Sequence, residues 1–103
     1  MAAARPFRFG AGLFTADSPA AWAEGARRVE ALGYDTLLMA DHFLSPFAPV
    51  PALVAAAAAT TTLRVGCTVF ANDFRHPALL AKDAVGGQIN RLWHAFRAAA
   101  AGV

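Results

Sequence analysis

The feature that most constrains the fold is an alternation of strand-like and helix-like segments that repeats three times along the chain. Residues 7–15, 36–40 and 63–70 have the composition of strands, and a segment with helical character follows each of them. Short connections in such an alternation favour parallel strands joined by right-handed crossovers. The sequence therefore predicts an α/β fold of about three βα units with parallel strands.

The clearest helix is predicted within residues 17–33. Ser18 is a favourable N-cap, and Pro19 suits the first helical position because its missing N–H has no partner there. Gly33 suits the residue after the helix end, where the backbone often turns left-handed. The residues predicted to form the buried face, spaced four and three apart, are Trp22, Ala26 and Val29.

Two polar residues follow the second predicted strand directly. Residues 36–40 form a nearly continuous apolar run, which is typical of a parallel strand buried on both faces. Asp41 and His42 come next, at the carboxyl end, where ligands gather in sheets of parallel strands. Because an imidazole titrates near neutral pH, the pair could act as a general acid or base. Alternatively, Asp41 caps its own loop and His42 only fills the rim.

The third strand and the other histidines carry weaker signals. The small residues of Gly66–Phe70 leave room for a flat ring, although ordinary close packing explains them equally well. Cys67 is predicted to be an inert packing residue within the strand. His76 is predicted to begin a helix with Pro77, and His94 to lie on a helix surface. Since the histidines lack a metal-binding spacing, we predict no metal site.

Composition narrows the class of protein. The chain has 103 residues, of which 57% are hydrophobic, so one small domain is expected. No Lys or Arg cluster accompanies the net charge of +2, which argues against a nucleic-acid partner. The most apolar run is about ten residues long, whereas a bilayer span needs about 20, so no membrane partner is expected. A single cysteine and no visible secretory signal suit a reducing cytoplasm.

Three stretches together resemble a known family. "FRFGAGLF", "ARRVEALGYDTLLMADHF" and "LRVGCTVFANDFRHPALLAKDA", within residues 6–84, resemble the amino-terminal part of the luciferase-like monooxygenases. The likeness is greatest to the oxidoreductase branch that uses the deazaflavin coenzyme F420. The resemblance implies a partial (β/α)8 TIM barrel with the deazaflavin at its carboxyl-terminal mouth; flavin mononucleotide (FMN), used by monooxygenases of the same family, is the alternative cofactor.

The resemblance also implies roles for particular residues. Asp41 matches the family's aspartate beside the deazaflavin ring, and His42 matches a histidine that transfers protons to or from a small-molecule substrate. Thr68 and Val69 match a site behind the ring that often has a non-prolyl cis peptide bond. Asn72 is expected to line the same pocket. The implied reaction is hydride transfer between the deazaflavin and a small organic substrate.

The resemblance ends near residue 84, which divides the chain into a family-like domain, residues 1–84, and a divergent helical tail, residues 85–103. A complete barrel takes about 250 residues, so we expect a truncated or frameshifted product that is weak or inactive alone. The tail is predicted to form an amphipathic helix whose apolar stripe would pack on a partner surface, although an alanine-rich sequence gives such a helix by chance equally well. An uncovered edge strand favours aggregation, so self-association is expected. A non-catalytic oligomerising or partner-binding module is therefore an alternative function. The apolar stripe of the tail consists of Ile89, Leu92, Trp93 and Phe96.

Overall fold

The computed structural model describes residues 6–71 and 73–85, which form three βα units. The strands form one parallel sheet in the order β1-β2-β3, as the alternation predicted. This arrangement is that of a partial TIM barrel, so the predicted fold class is confirmed. In chain order the elements are β1 (Gly10–Gly12), α1 (Pro19–Ala31), β2 (Thr36–Met39), α2 (Pro49–Ala59), β3 (Arg64–Cys67) and α3 (Pro77–Val85).

Helix α1 begins and ends where its sequence predicted. The hydroxyl of Ser18 accepts a hydrogen bond from the backbone N–H of Ala21 at 3.0 Å, and Pro19 is the first helical residue. Gly33 follows the helix with a φ of 92°, a conformation that side chains with a Cβ disfavour. Capping therefore fixes the length of this helix locally.

Helix α2 begins within a proline-rich segment. Pro49 and Pro51 look like breakers of a loop, yet both lie in the first turn of the helix. Proline is compatible with that turn because the first backbone N–H groups of a helix have no intrahelical partner. The prolines thus start the helix instead of delaying it.

The core lies on one face of the sheet, between the strands and helices α1 and α2. Leu37, Met39 and Val65 point to this face and are fully buried. The indole N–H of Trp22 donates to the carbonyl of Ala52 at 2.8 Å, which joins the two helices within the core. The remaining apolar residues buried there are Ala26, Leu53, Ala56, Ala57 and Leu63.

The opposite face of the sheet is only partly covered by the described residues, so the prediction that β2 is buried on both faces was wrong. Thr36 and Leu38 alternate with the buried positions and remain half-buried, as do Arg64 and Gly66 on β3. The two helices that cover the sheet both pack on the Leu37 face. In a closed barrel this other face would point to the interior.

The strands are shorter than the predicted ranges 7–15 and 63–70, because regular pairing with β2 covers only part of each run. Backbone contacts nevertheless continue beyond the strand ends, since the N–H of Thr68 donates to the carbonyl of Met39 at 2.8 Å.

The tail after residue 85, including its predicted helix, lies outside the described residues. Among the helices that the structure does describe, none combines the length and the apolar character needed to cross a bilayer.

One ionised carboxylate joins helix α1 to the start of β3. Glu30 accepts hydrogen bonds from the backbone N–H groups of Thr61, Thr62 and Leu63, at distances between 2.8 and 3.3 Å. Burial alone would raise the pKa of Glu30, but these hydrogen bonds outweigh it and lower the pKa to about 2. We call the end of the sheet that holds Glu30, residues 30–35 and 61–63, the amino edge.

Candidate functional site

The opposite end of the sheet holds the polar residues singled out in the sequence. We call it the carboxyl edge, formed by the described residues that follow the three strands: 13–18, 40–48, 68–71 and 73–76. In folds of parallel strands this edge carries the ligand site, because the connecting loops converge there. Asp41 and His42 follow β2, and Thr68 and Val69 follow β3 directly.

Asp41 is buried and joins two neighbouring loops. Its side chain is 4% exposed, and its two oxygens accept bonds of 2.7 and 3.0 Å from the guanidinium of Arg75. The backbone N–H of Ala71 donates to the same carboxylate at 2.8 Å. Asp41 therefore ties the loop after β3 to the end of β2. The alternative that it caps its own loop was wrong, because these partners lie 30 and 34 residues away.

The environment keeps the carboxyl group of Asp41 ionised. Its hydrogen bonds with Arg75 lower its pKa most, burial opposes them, and the Ala71 N–H lowers it further. Two parallel N–H···O bonds to a carboxylate are among the strongest charge-assisted contacts in proteins. Asp41 is thus a firmly held anion.

Arg75 is a residue of the carboxyl edge that was not predicted from the sequence. Its guanidinium lies 5.3 Å from the ring centroid of Phe70, so it is held by an aromatic face as well as by Asp41. A signal for it existed in the sequence. A carboxylate buried at a strand end needs a charged partner, and Arg75 is the only Lys or Arg within residues 68–76 of the neighbouring loop.

His42 occupies a different environment from its neighbour. It is exposed and lines an open cleft of about 650 Å³ between the ends of β1 and β2. Most of the cleft wall is apolar, and the described part of the chain contributes no Lys, Arg, Asp or Glu to it. The residues that line it are Phe14, Thr15, Ala40, His42, Phe43, Leu44, Ser45 and Pro46.

Two contacts connect this cleft to the adjacent loops. The hydroxyl of Ser45 donates to the carbonyl of Phe14 at 3.4 Å, across the ends of β1 and β2. On the other side, the rings of Phe43 and Phe74 stack with centroids 4.1 Å apart and an interplanar angle of 25°. The wall of the cleft is therefore continuous with the loop that Asp41 and Arg75 hold.

The other predicted site residues divide into described and undescribed positions. The peptide bond between Thr68 and Val69 is cis, as the resemblance implied. Both residues are exposed, and neither lines the cleft beside His42. Asn72 lies outside the described residues. The structure thus brings Asp41, His42, Thr68 and Val69 to one edge, and it separates the buried anion from the exposed imidazole.

Two further side chains have the structural roles that their sequence context predicted. Burial, reinforced by the charge of Asp41, raises the pKa of the Cys67 thiol to about 11, so it stays protonated at neutral pH. His76 precedes α3, and its Nδ1 accepts from the backbone N–H of Ala78 at 3.1 Å. In residues 6–71 and 73–85, His, Cys, Asp and Glu do not gather in a group that could bind a metal ion.

The comparisons with known proteins bear on the same part of the chain. The family model for luciferase-like monooxygenases matches residues 2–86, a segment that contains all three βα units and the carboxyl edge. Comparisons with curated proteins and with solved structures give no significant match. Because the family model covers well over half of the sequence, the chain belongs to the luciferase-like monooxygenase family.

Proposed function

We propose that this chain forms part of the active site of an oxidoreductase that transfers a hydride between the deazaflavin coenzyme F420 and a small organic substrate. The observation that carries the proposal is the position of His42, exposed in an apolar cleft at the carboxyl edge of a luciferase-like domain. This family commonly uses flavin-type cofactors. FMN is therefore the rival cofactor for the same site.

The cleft suits the ring of such a cofactor. A flavin or deazaflavin ring system is flat and aromatic, and Phe14 and Phe43 supply aromatic surface in a cleft of about 650 Å³. Thr68 and Val69 are exposed at the end of the adjacent strand, outside the cleft wall, and would contact the part of the cofactor that extends beyond the cleft. When bound, the cofactor supplies the hydride donor or acceptor.

The residues of the chain would transfer protons and hold the loops of the site in place. His42 is exposed to solvent, so its imidazole can exchange a proton with water and pass it to a substrate in the cleft. Asp41, the residue before it, is buried and accepts hydrogen bonds from Arg75 and Ala71. We therefore assign proton transfer to His42, and we assign to Asp41 the role of holding the two loops at a fixed separation.

The described residues offer little to the phosphate end of a cofactor. Arg75 lies outside the cleft wall and is committed to Asp41, and none of the described residues that line the cleft is a Lys or Arg. In barrels of this type the phosphate is commonly held by loops after the seventh and eighth strands, and the described residues contain three strands. We therefore propose that the chain alone binds the cofactor weakly and has little or no activity.

The experiment is a pair of fluorescence titrations, with F420 and with FMN, on the same preparation. We expect saturable binding of F420 with a Kd of about 100 μM or weaker, equivalent to about 5.5 kcal/mol or less, and weaker binding of FMN. The His42→Gln variant should bind less well, whereas His76→Gln, outside the cleft, should behave like the unmodified chain.

Each other outcome removes part of the proposal. Tighter binding of FMN would make the chain an FMN-type monooxygenase component. Stoichiometric binding of F420 would contradict the weakness of the isolated chain. No saturable binding of either compound would contradict a flavin-type site.

A second candidate function is a non-catalytic module that associates with another copy of itself. The partly uncovered sheet face and the exposed Phe43 and Leu44, 82% and 100% exposed, favour it. Sedimentation velocity tests this candidate. Replacing Leu92 and Phe96 of the tail by Ser should disperse an oligomer, and unchanged sedimentation would exclude the tail from any association.

A further inference from the structure

We propose that Arg75 is a positioning residue that sets the geometry of the carboxyl-edge site by holding Asp41, without itself touching substrate or cofactor. The effect on cofactor binding rests on the proposed function; the effect on loop geometry does not.

The contacts make Arg75 the bridge between two loops. Its Nη1 and Nη2 donate to different oxygens of Asp41, at 2.7 and 3.0 Å, which fixes both the distance and the orientation of the carboxylate. Phe70 lies under the guanidinium, and Ala71 donates to the same carboxylate. Four residues from two loops thus form one connected network.

The network leaves His42 and Thr68 on its margins. His42 follows Asp41 directly, and Thr68 precedes Phe70 by two residues, so short backbone segments join both of them to residues of the network. The stack of Phe43 on Phe74, the residue before Arg75, extends the network into the cleft wall. Moving the Arg75 side chain would therefore displace the cleft wall relative to the end of β3.

Arg75 is unsuited to a direct catalytic role. Its side chain is 18% exposed, it does not line the cleft, and both terminal nitrogens are engaged with Asp41. Without Arg75, the Ala71 N–H would be the one remaining hydrogen-bond donor to the buried carboxylate of Asp41 among the described residues, and a carboxylate in that position must gain water or a proton. Either response opens the loop after β3.

The test compares Arg75→Gln and Arg75→Lys with a control, Arg27→Gln, which removes an arginine from an exposed ion pair with Glu24. Three quantities are measured on the full chain: amide hydrogen exchange at Ala71, backbone amide shifts of residues 41–45 and 68–71, and the Kd for F420. For Arg75→Gln we expect exchange at Ala71 at least about tenfold faster, shifts confined to those residues, and F420 binding about tenfold weaker.

Arg75→Lys keeps the charge but makes a single contact, so it should recover part of both effects. If Arg75→Gln simply unfolds, Arg75→Lys still tests the proposal, because it is expected to keep more of the loop geometry and more of the F420 binding. Arg27→Gln should match the unmodified chain in all three measurements.

The outcomes are distinguishable. Arg75→Gln with unchanged exchange at Ala71 and unchanged amide shifts would overturn the proposal. Faster exchange with an unchanged Kd would also overturn it, because Arg75 would then be only structural. If the unmodified chain binds no F420 while the loop responds to Arg75 as expected, the proposed function fails and the positioning of His42 and Thr68 by Arg75 stands.

Discussion

The two edges of the sheet use carboxylates in different ways. At the amino edge, Glu30 is bound by three consecutive backbone N–H groups at the start of β3. At the carboxyl edge, Asp41 is bound by the side chain of Arg75 and by one backbone N–H. Both pKa values are lowered, so both groups are ionised at neutral pH.

The difference lies in what surrounds each anion. Glu30 satisfies main-chain donors and completes the junction between α1 and β3. Asp41 fixes a second side chain, and beside it lie an exposed imidazole and an apolar cleft. In barrels of parallel strands the amino-terminal end serves stability and the carboxyl-terminal end serves chemistry. We expect the same division in the three βα units of this chain.

The largest effect on stability is expected from Asp41→Asn. The change leaves Arg75 without a charged partner in a site where the Asp41 side chain is 4% exposed, and breaking such a pair costs about 3 kcal/mol of unfolding free energy. Chemical denaturation at pH 7 measures it. Asp73→Asn, at an exposed position in the adjacent loop, is the matched control; an equal loss in both variants would contradict the importance of the pair.

A smaller loss, about 1 kcal/mol, is expected from Glu30→Gln, because the amide oxygen still accepts hydrogen bonds but without the charge. Glu24→Gln, which alters an exposed ion pair of the same helix, should change stability by less than about 0.5 kcal/mol. If both substitutions are neutral, the backbone contacts of Glu30 do not stabilise the junction.

The contribution of Glu30 should depend on pH with a defined sign. Its pKa falls from 4.5 to about 2 on folding, so its stabilisation is complete above about pH 5 and is lost as the pH drops through 4.5 towards 2. The difference in unfolding free energy between the unmodified chain and Glu30→Gln should shrink over that window. A difference that stays constant from pH 6 to pH 3 would contradict the assignment.

The smallest effect on stability is expected from His42→Gln. The side chain is exposed and borders an open cleft, so the free energy of unfolding should change by less than about 0.5 kcal/mol. Thermal denaturation of His42→Gln and Asp41→Asn in parallel measures the difference in stability between substitutions at two adjacent residues. A loss comparable to that of Asp41→Asn would show that His42 is structural.

Much of the fold could be predicted from the sequence because its signals are local. Ser18, Pro19 and Gly33 determine the ends of α1 through the backbone of their own neighbours. The apolar run at β2 predicted a strand, but its burial depends on what covers each face, and the described helices cover one. Packing between residues distant in the sequence therefore determines which face of β2 is buried, and composition alone does not reveal it.

The candidate site was predicted less completely for the same reason. Asp41 and His42 stood out because a polar pair after an apolar strand is a local pattern. Arg75 lies 34 residues beyond Asp41, and Glu30 lies 31 to 33 residues before its backbone partners, so only the fold brings these groups together. The separate roles of Asp41 and His42 depend on burial, which their adjacent positions in the sequence do not reveal.

The most direct test of the contrast between the two edges is a titration of the ¹⁵N-labelled chain with coenzyme F420, followed by amide chemical shifts. The account predicts saturable shifts at residues 41–45 and 68–71 and none at residues 30–35 and 61–63. Shifts at the amino edge, or at neither edge, would contradict it.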